Sequence, residues 1–195
     1  RSREYLTTMT DGDDLNRPAS TVWLTGLSGA GKTTLANATA NMCRQAGYAV
    51  CIIDGDQLRQ GLCQDLGFDI SGRSENVRRA AEMARLLNVQ GIFVVVAMIS
   101  PLKAQRAAAR ELIGRTRFAE VHVKADLASC EQRDPKGLYA RVRQGRIHQF
   151  TGVSSAYEVP MAPDLVLDTT CLTVAEGAAR LKSALLSRGA VALMS

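Results

Sequence analysis

Gly26-Leu27-Ser28-Gly29-Ala30-Gly31-Lys32-Thr33 is the stretch that decides how this chain folds. It fits the pattern G-x-x-x-x-G-K-[ST], which arises by chance in about one chain of this length in a hundred at average composition. Its setting therefore matters. Apolar Val22–Leu24 precedes it and a helical pattern opens at Lys32, giving the strand, turn and helix in which the pattern works. Glycines let successive backbone N–H groups turn inward as an anion nest at a helix N-terminus. Lys32 can then reach the outer phosphates of a nucleoside triphosphate, and the Thr33 hydroxyl can ligate the Mg²⁺ that accompanies it.

Outward from this turn, short β-branched runs alternate with helical patterns. The expected strands are Thr21–Thr25, Ala49–Ile53, Ile92–Ile99, Ala119–Val123 and Leu165–Leu167. The expected helices are Lys32–Ala46, Arg73–Gln90, Lys103–Ile113, Lys136–Gln144 and Thr173–Ser187. In Arg73–Gln90, Val77, Ala81, Ala84 and Leu87 form one stripe, with Arg78, Glu82 and Arg85 opposite, the mark of a helix with one face buried. Ile92–Ile99 is apolar without alternation, as a central strand covered on both faces should be. Alternating strands and helices predict an α/β fold with a parallel sheet between two helical layers. Residues 1–20 show no apolar period and read as a flexible tail or linker; 21–190 read as one domain. The chain begins at Arg1 rather than Met, which fits a segment of a longer protein.

With 195 residues, 46% of them hydrophobic, the chain can bury one real core but not two comfortable ones. Its longest apolar run, Ile92–Ile99, falls far short of the roughly 20 residues of a membrane span, and the polar start lacks a secretory signal's apolar stretch. A cytoplasmic protein is expected. The five cysteines, Cys43, Cys51, Cys63, Cys130 and Cys171, are scattered and form no CxxC pair, so reduced thiols are expected rather than a zinc site or disulfide framework. A net charge of +5 suits polyanionic ligands. Nucleic acid is not expected, because a 5% aromatic content leaves few stacking platforms. A guanine-reading Asn-Lys-x-Asp is also missing, since no Asn-Lys pair occurs, which argues against a GTP-dependent switch.

Val50-Cys51-Ile52-Ile53-Asp54-Gly55-Asp56 is an apolar strand that delivers two carboxylates at its C-terminal end. Ligands in open α/β sheets bind beyond those ends, where an Asp can hold Mg²⁺ or accept the proton of an attacking hydroxyl. A third strand ends in Met98-Ile99-Ser100-Pro101. Three strand ends thus carry polar groups toward one crevice.

At this point the chain resembles the adenylyl-sulfate (APS) kinase family, P-loop enzymes that make 3′-phosphoadenosine 5′-phosphosulfate. The residues that carry the likeness are GLSGAGKTT at 26–34, DGDQLRQG at 54–61, DLGF at 65–68, and Arg73 with Glu75-Asn76 and Arg78-Arg79. They continue with ISP at 99–101, CEQRDPKGLY at 130–139, FTG at 150–152 and Tyr157-Glu158. The likeness runs in order from about residue 21 to 170, and CEQRDPKGLY is far more restrictive than the glycine turn. It implies a three-layer α/β/α fold of the P-loop NTPase, adenylate-kinase-like type, with about five parallel strands and a mobile lid near 131–152.

The resemblance also implies roles. Gly26, Ser28, Gly29, Ala30, Gly31, Lys32, Thr33 and Thr34 would hold the phosphates of ATP. Thr33, Asp54 and Asp56 would serve Mg²⁺, and Asp56 with Asp54 would activate the ribose 3′-hydroxyl of adenosine 5′-phosphosulfate (APS). Asp56, Arg59, Phe68, Arg73, Asn76, Ile99, Ser100, Lys136 and Phe150 would bind APS, Lys136 and Phe150 from the lid. Some descriptions of the family give the ISP serine a phosphoserine intermediate, which places Ser100 with Asp54, Asp56 and Lys32 in the catalytic set; in-line transfer needs no such step. The family also implies a homodimer and association, covalent or not, with ATP sulfurylase. This chain has Gly72 where relatives commonly carry Asp, Gln149 where many have Gly, Ala156 for Pro and Arg141 for Lys. These departures bear on lid geometry and affinity rather than on the reaction. Arg73 and Asn76, three apart, share a helix face. Between Glu131 and Gly152, Arg133, Lys136, Arg141, Arg143 and Arg146 offer a basic segment that could neutralise a transferring phosphoryl group. A kinase acting on a nucleoside monophosphate or another metabolite is the alternative reading.

Overall fold

The computed structural model describes residues 19–191. Five parallel strands, β1 (Thr21–Thr25), β2 (Val50–Asp54), β3 (Phe93–Ala97), β4 (Phe118–Lys124) and β5 (Leu165–Asp168), form one sheet in the order β2-β3-β1-β4-β5. The connections are α1 (Lys32–Gln45), α2 (Gly55–Leu58), α3 (Ile70–Val89), α4 (Lys103–Ile113), α5 (Leu127–Arg133) and α6 (Leu138–Arg143), and α7 (Val174–Val191) closes the chain. Every residue of β1 and β3 is buried, as strands covered on both faces require.

The side chains of the sheet alternate between two cores. Val22, Leu24 and Val95 pack with Leu35, Ala36, Ala40 and Cys43 of α1 and with Leu181 and Leu185 of α7. Trp23, Val94, Val96 and Phe118 pack on the other face with Val77, Ala80, Ala81 and Ala84 of α3 and with Ala109 and Ile113 of α4. Small residues on α3 let it lie close to the sheet, and the large volume on that side comes from Trp23 stacked on Phe118, ring centroids 5.9 Å apart. These are the expected three layers.

Register places the site. Leu24 lies abreast of Ala97, and Ala97 abreast of Asp54, so the C-terminal ends of β1, β2 and β3 finish level. The turns that follow them meet on one side, where ligands bind such sheets.

The structure corrects several expected boundaries. Ala19 and Ser20, read as tail, are fully buried; the Ser20 hydroxyl donates to the Leu185 carbonyl at 2.6 Å. The rest of that tail, residues 1–18, lies outside the described residues. β3 ends at Ala97 rather than Ile99, because the Ile99 carbonyl turns to accept the Thr25 hydroxyl at 2.6 Å. α3 begins three residues earlier than expected, at Ile70, because Asp69 caps it, accepting the Gly72 N–H at 3.0 Å; that bond stabilises a start that Ser71 and Gly72 disfavour. α6 starts at Leu138 rather than Lys136: Gly137 has φ 62°, and the Asp134 carboxylate accepts the N–H groups of Tyr139 and Ala140. Thr173 caps α7 reciprocally with Glu176, a capping box. All five cysteines are free thiols. Among the described residues, no helix is long and apolar enough to cross a membrane.

Asn88 joins three elements from the buried C-terminal end of α3. Its amide donates to the carbonyls of Ser20 (3.1 Å) and Ile92 (3.0 Å), and its oxygen accepts the Thr21 hydroxyl at 2.7 Å. Asn88→Ala would leave the Thr21 hydroxyl and the Ile92 carbonyl without these bonds, at about 1–3 kcal/mol for each unsatisfied group, while the Ser20 carbonyl keeps the Val94 N–H at 2.9 Å. We expect a stability loss of about 2–4 kcal/mol, given partial relaxation, read as a lower urea midpoint at unchanged slope. A loss below about 1 kcal/mol would show that the two groups find other partners.

Candidate active site

One cleft of about 1020 Å³ opens at the level strand ends, at the upper limit of ordinary small-ligand sites. Of the residues expected at the site, Ser28, Gly29, Gly31, Lys32, Thr33 and Thr34 line one part, and Asp54, Asp56, Arg59, Phe68, Arg73, Asn76, Ile99, Ser100, Lys136 and Phe150 the rest. Gly26 and Ala30 stand behind the wall. A Cβ at Gly26 would lie 2.3 Å from the Val123 carbonyl oxygen, so this glycine is required by packing on β4. Ala30 is fully buried, its carbonyl accepting the Thr169 hydroxyl at 3.0 Å.

Lys32, opening α1 beneath the glycine turn, is buried and donates to the carbonyls of Gly26 (2.8 Å) and Leu27 (2.7 Å). Burial pushes its pKa down to about 8, against the pull of Cys130, Asp56 and Asp54. An ammonium so desolvated is poised to gain from a nearby polyanion. The next residue reaches β2: the Thr33 hydroxyl donates to Asp54 Oδ2 at 2.7 Å.

The two carboxylates divide. Asp54 is 5% exposed at the end of β2, where it also caps α2 by accepting the Asp56 N–H at 2.9 Å. Asp56 projects into the cleft with 61% of its side chain exposed, ion-paired with Lys136 of the 131–152 segment. Thr33 and Asp54 make a hard oxygen pair beside the phosphate nest. Mg²⁺ fits such a pair, because it keeps several waters and takes the rest of its ligands from substrate phosphates. Among the described residues, no group of three or more His, Cys, Asp or Glu that could hold a metal ion occurs.

Opposite the glycine turn, the loop before α3 carries Phe68, 63% exposed, with the Arg59 guanidinium 4.3 Å from its ring centroid. Arg73 donates to the Phe68 carbonyl at 2.6 Å and to the Gln149 carbonyl at 3.1 Å, and also bonds the Thr151 hydroxyl. Burial lowers the pKa of both Arg59 and Arg73, a bias that an anionic ligand would offset. Asn76, one turn further and 4% exposed, has the one buried side-chain atom without a hydrogen-bond partner among the described residues, Oδ1. Such an orphan costs about 1–3 kcal/mol, and here it lines the cleft.

Ser100 is 3% exposed and has φ 41°, in the left-handed region that favours glycine. Its Oγ accepts the Trp23 indole N–H at 2.9 Å and its carbonyl accepts Arg106 at 2.8 Å. Buried Arg106 also donates to Glu120 (2.7 Å) and to the Glu158 carbonyl (2.8 Å). It is thus a hidden tie between the turn after β3, the sheet, and the chain returning from the 131–152 segment.

That segment is docked on the body. The Tyr139 hydroxyl donates to the Ser28 carbonyl at 2.9 Å, and Phe150 packs edge-on against Tyr139, ring centroids 4.9 Å apart. Of its five cations, Arg133, Lys136, Arg141 and Arg146 line the cleft, whereas Arg143 pairs with Glu131 at 3.4 Å. Arg133 donates to the hydroxyl and the carbonyl of Thr169, each at 2.9 Å. Thr169, Leu172, Thr173 and Val174 close the end of the cleft beyond Gly31. Sequence reasoning did not place these four; the signal was Asp168-Thr169-Thr170 at a strand end, the position that exposed Asp54 and Ser100.

Comparison with known proteins agrees with this geometry. The sequence profile of the family described as adenylylsulphate kinase matches residues 18–168. An adenylyl-sulfate kinase of Bacillus licheniformis is 53% identical over 151 residues, 77% of each chain, and one of Geotalea daltonii is 45% identical over 94% of this chain and 92% of its own. Among solved structures, the APS kinase CysC of Mycobacterium tuberculosis in complex with AMPPNP and APS superposes with a TM-score of 0.83 at 42% identity, covering 87% of this chain and 98% of that one. A match through the glycine turn, both carboxylates and the RDPKGLY segment leaves one conclusion: the chain belongs to the adenylylsulphate kinase family.

Proposed function

We propose that this chain transfers the γ-phosphoryl group of ATP to the 3′-hydroxyl of APS, giving ADP and 3′-phosphoadenosine 5′-phosphosulfate. The observation that carries the reading is one cleft holding a triphosphate nest at one end and Asp56, Arg73 and the orphaned Asn76 oxygen at the other. A phosphate receptor alone would not need the second set.

On binding, the loop amides from Gly29 to Thr34 take the phosphates, and Lys32 exchanges the carbonyls of Gly26 and Leu27 for phosphate oxygens. Thr33 and Asp54 would hold Mg²⁺, which when bound offsets phosphate charge during transfer. Arg59 and Arg73 grip the phosphosulfate anion, the Phe68 face supports the adenine, and Asn76 Oδ1 accepts a ligand N–H or O–H. Asp56 orients the 3′-hydroxyl and takes its proton once Lys136 leaves the carboxylate for an incoming anionic oxygen. Arg133, Arg141 and Arg146 supply further positive charge where the phosphoryl group passes. No step runs through Ser100, whose Oγ accepts from Trp23; it shapes the floor with Ile99. The same reading makes residues 21–190 one kinase domain, with 131–152 as its lid, working in the cytoplasm as a homodimer, alone or with ATP sulfurylase. Light scattering of the purified chain tests the dimer.

Three outcomes check the mechanism. In a coupled assay with Mg²⁺ and ATP, APS should accelerate ADP release, and nucleoside monophosphates should not. Asp56→Ala should lose about 10²–10⁴-fold in turnover while keeping its circular dichroism spectrum; near-normal turnover would remove Asp56 from the mechanism. The third outcome follows from Lys32. Its pKa is about 8 without a polyanion and must rise when phosphates bind, so the complex holds more protons than the free protein. ATP affinity should therefore be full below about pH 8 and fall as pH climbs above it, by up to about tenfold per pH unit. Calorimetry in buffers of different ionisation enthalpy should show proton uptake in that window. Flat affinity with no buffer-dependent heat would mean that Lys32 stays protonated throughout.

A further inference from the structure

We infer that Arg106 is a positioning residue for the acceptor, holding the turn at 99–101 where Ile99 and Ser100 line the cleft. The inference rests on the acceptor assignment above. Ser100 sits at φ 41° without being glycine, a backbone state that persists only where its surroundings over-determine it. Three donors do so. Thr25 Oγ1 holds the Ile99 carbonyl at 2.6 Å, the Trp23 indole N–H holds Ser100 Oγ at 2.9 Å, and Arg106 Nη1 holds the Ser100 carbonyl at 2.8 Å. Only the last of these is charged, and Arg106 is 3% exposed.

A guanidinium is a rigid planar fork, so the groups that it bonds are fixed relative to one another. Here they come from three parts of the chain: the Ser100 carbonyl, the Glu158 carbonyl at 2.8 Å, and Glu120 of β4 at 2.7 Å. Anchoring α4 to the sheet needs only the Glu120 pair. The two carbonyl bonds do something else: they set the height of the turn. One residue before Arg106, Gln105 donates to Ser74 Oγ at 3.0 Å, on the stretch of α3 between Arg73 and Asn76. The turn at 99–101 and the start of α3 are thus joined through the first turn of α4. The phosphate nest is seated elsewhere, by the close approach of Gly26 and Gly29 to the carbonyls of Val123 and Cys130. Losing the carbonyl bonds of Arg106 therefore reaches the acceptor and spares ATP.

Two variants separate the ion pair from the carbonyl bonds. Arg106→Lys keeps a cation for Glu120 but has one nitrogen where arginine has three, so it cannot span both carbonyls as well. Glu120→Gln removes the charge of the pair, while its amide oxygen still accepts from Arg106. Trp23 is the only tryptophan, so its indole N–H gives a single proton–nitrogen NMR signal that reports the bond to Ser100. Arg106→Lys should move that signal upfield and lower kcat/KM for APS about 10–100-fold, with the Kd for ATP, measured without APS, unchanged. Glu120→Gln should lower the urea midpoint and leave the indole signal and kcat/KM for APS as they were. An unmoved signal or unchanged kcat/KM in Arg106→Lys, an equal loss of ATP affinity, the same kinetic loss in Glu120→Gln, or an Arg106→Lys chain that does not fold would each overturn the inference alone. No APS-dependent ADP release by the unaltered chain would overturn the acceptor assignment and the inference with it.

Discussion

Two approaches of bare backbone hold the phosphate turn where it can work. Cβ atoms on Gly26 and Gly29 would lie 2.3 Å and 2.7 Å from the carbonyl oxygens of Val123 and Cys130. The turn therefore leans on the end of β4 and on α5 without intervening side chains. Because β1 pairs with β3 on one side and β4 on the other, the turn emerges at the middle of the sheet, flanked by strand ends. Lys32 inherits its burial from that placement, and Thr33 its reach to Asp54. A bulkier turn would tilt outward and carry the amides, the lysine and the hydroxyl with it.

The two ends of the cleft are made differently. The end at the glycine turn is backbone, amides fixed by glycine geometry and a helix start. The opposite end is side chains on short turns: Asp56 on α2, Phe68 on a loop, Arg73 and Asn76 on the first turns of α3. Cations gather from both sides of the cleft around two carboxylates, one buried and one exposed. A cleft lined largely by one sign of charge concentrates field lines and draws in opposite charge, which suits ligands bearing several phosphate or sulfate oxygens.

Much of this was legible in the residues. The bounds of β1 and α4 agree with the structure, because each is a clean apolar period between strong stop signals. The glycine turn and Asp54 stood out for the same reason, local chemistry at a strand end. What the sequence hid was of two kinds. Helices α2 and α5 are four and seven residues long, too short for a helical period, and rest on caps from Asp54 and Asp126. The other kind is pairing across long separations: the Trp23 partner of Ser100 lies 77 residues away, and the Thr169 partner of Arg133 36 away. Periodicity carries no record of such meetings.

Arg106 gives the segment over the cleft its mechanical character. At its near end, Arg133 and Tyr139 moor that segment to Thr169 and Ser28. At its far end, Arg106 grips the Glu158 carbonyl, the Glu158 N–H bonds Pro101, and Tyr157 meets Thr25 at 3.0 Å. A strip fastened at both ends cannot swing like a door on one hinge. Any opening would be a lift in the middle, like the handle of a pail, against the packing of Val142 and Ile147 on the core and the Arg73 bond to the Gln149 carbonyl. Such a lift would spare the moorings and leave in place the floor that Ser100 provides, held by Trp23 and Arg106.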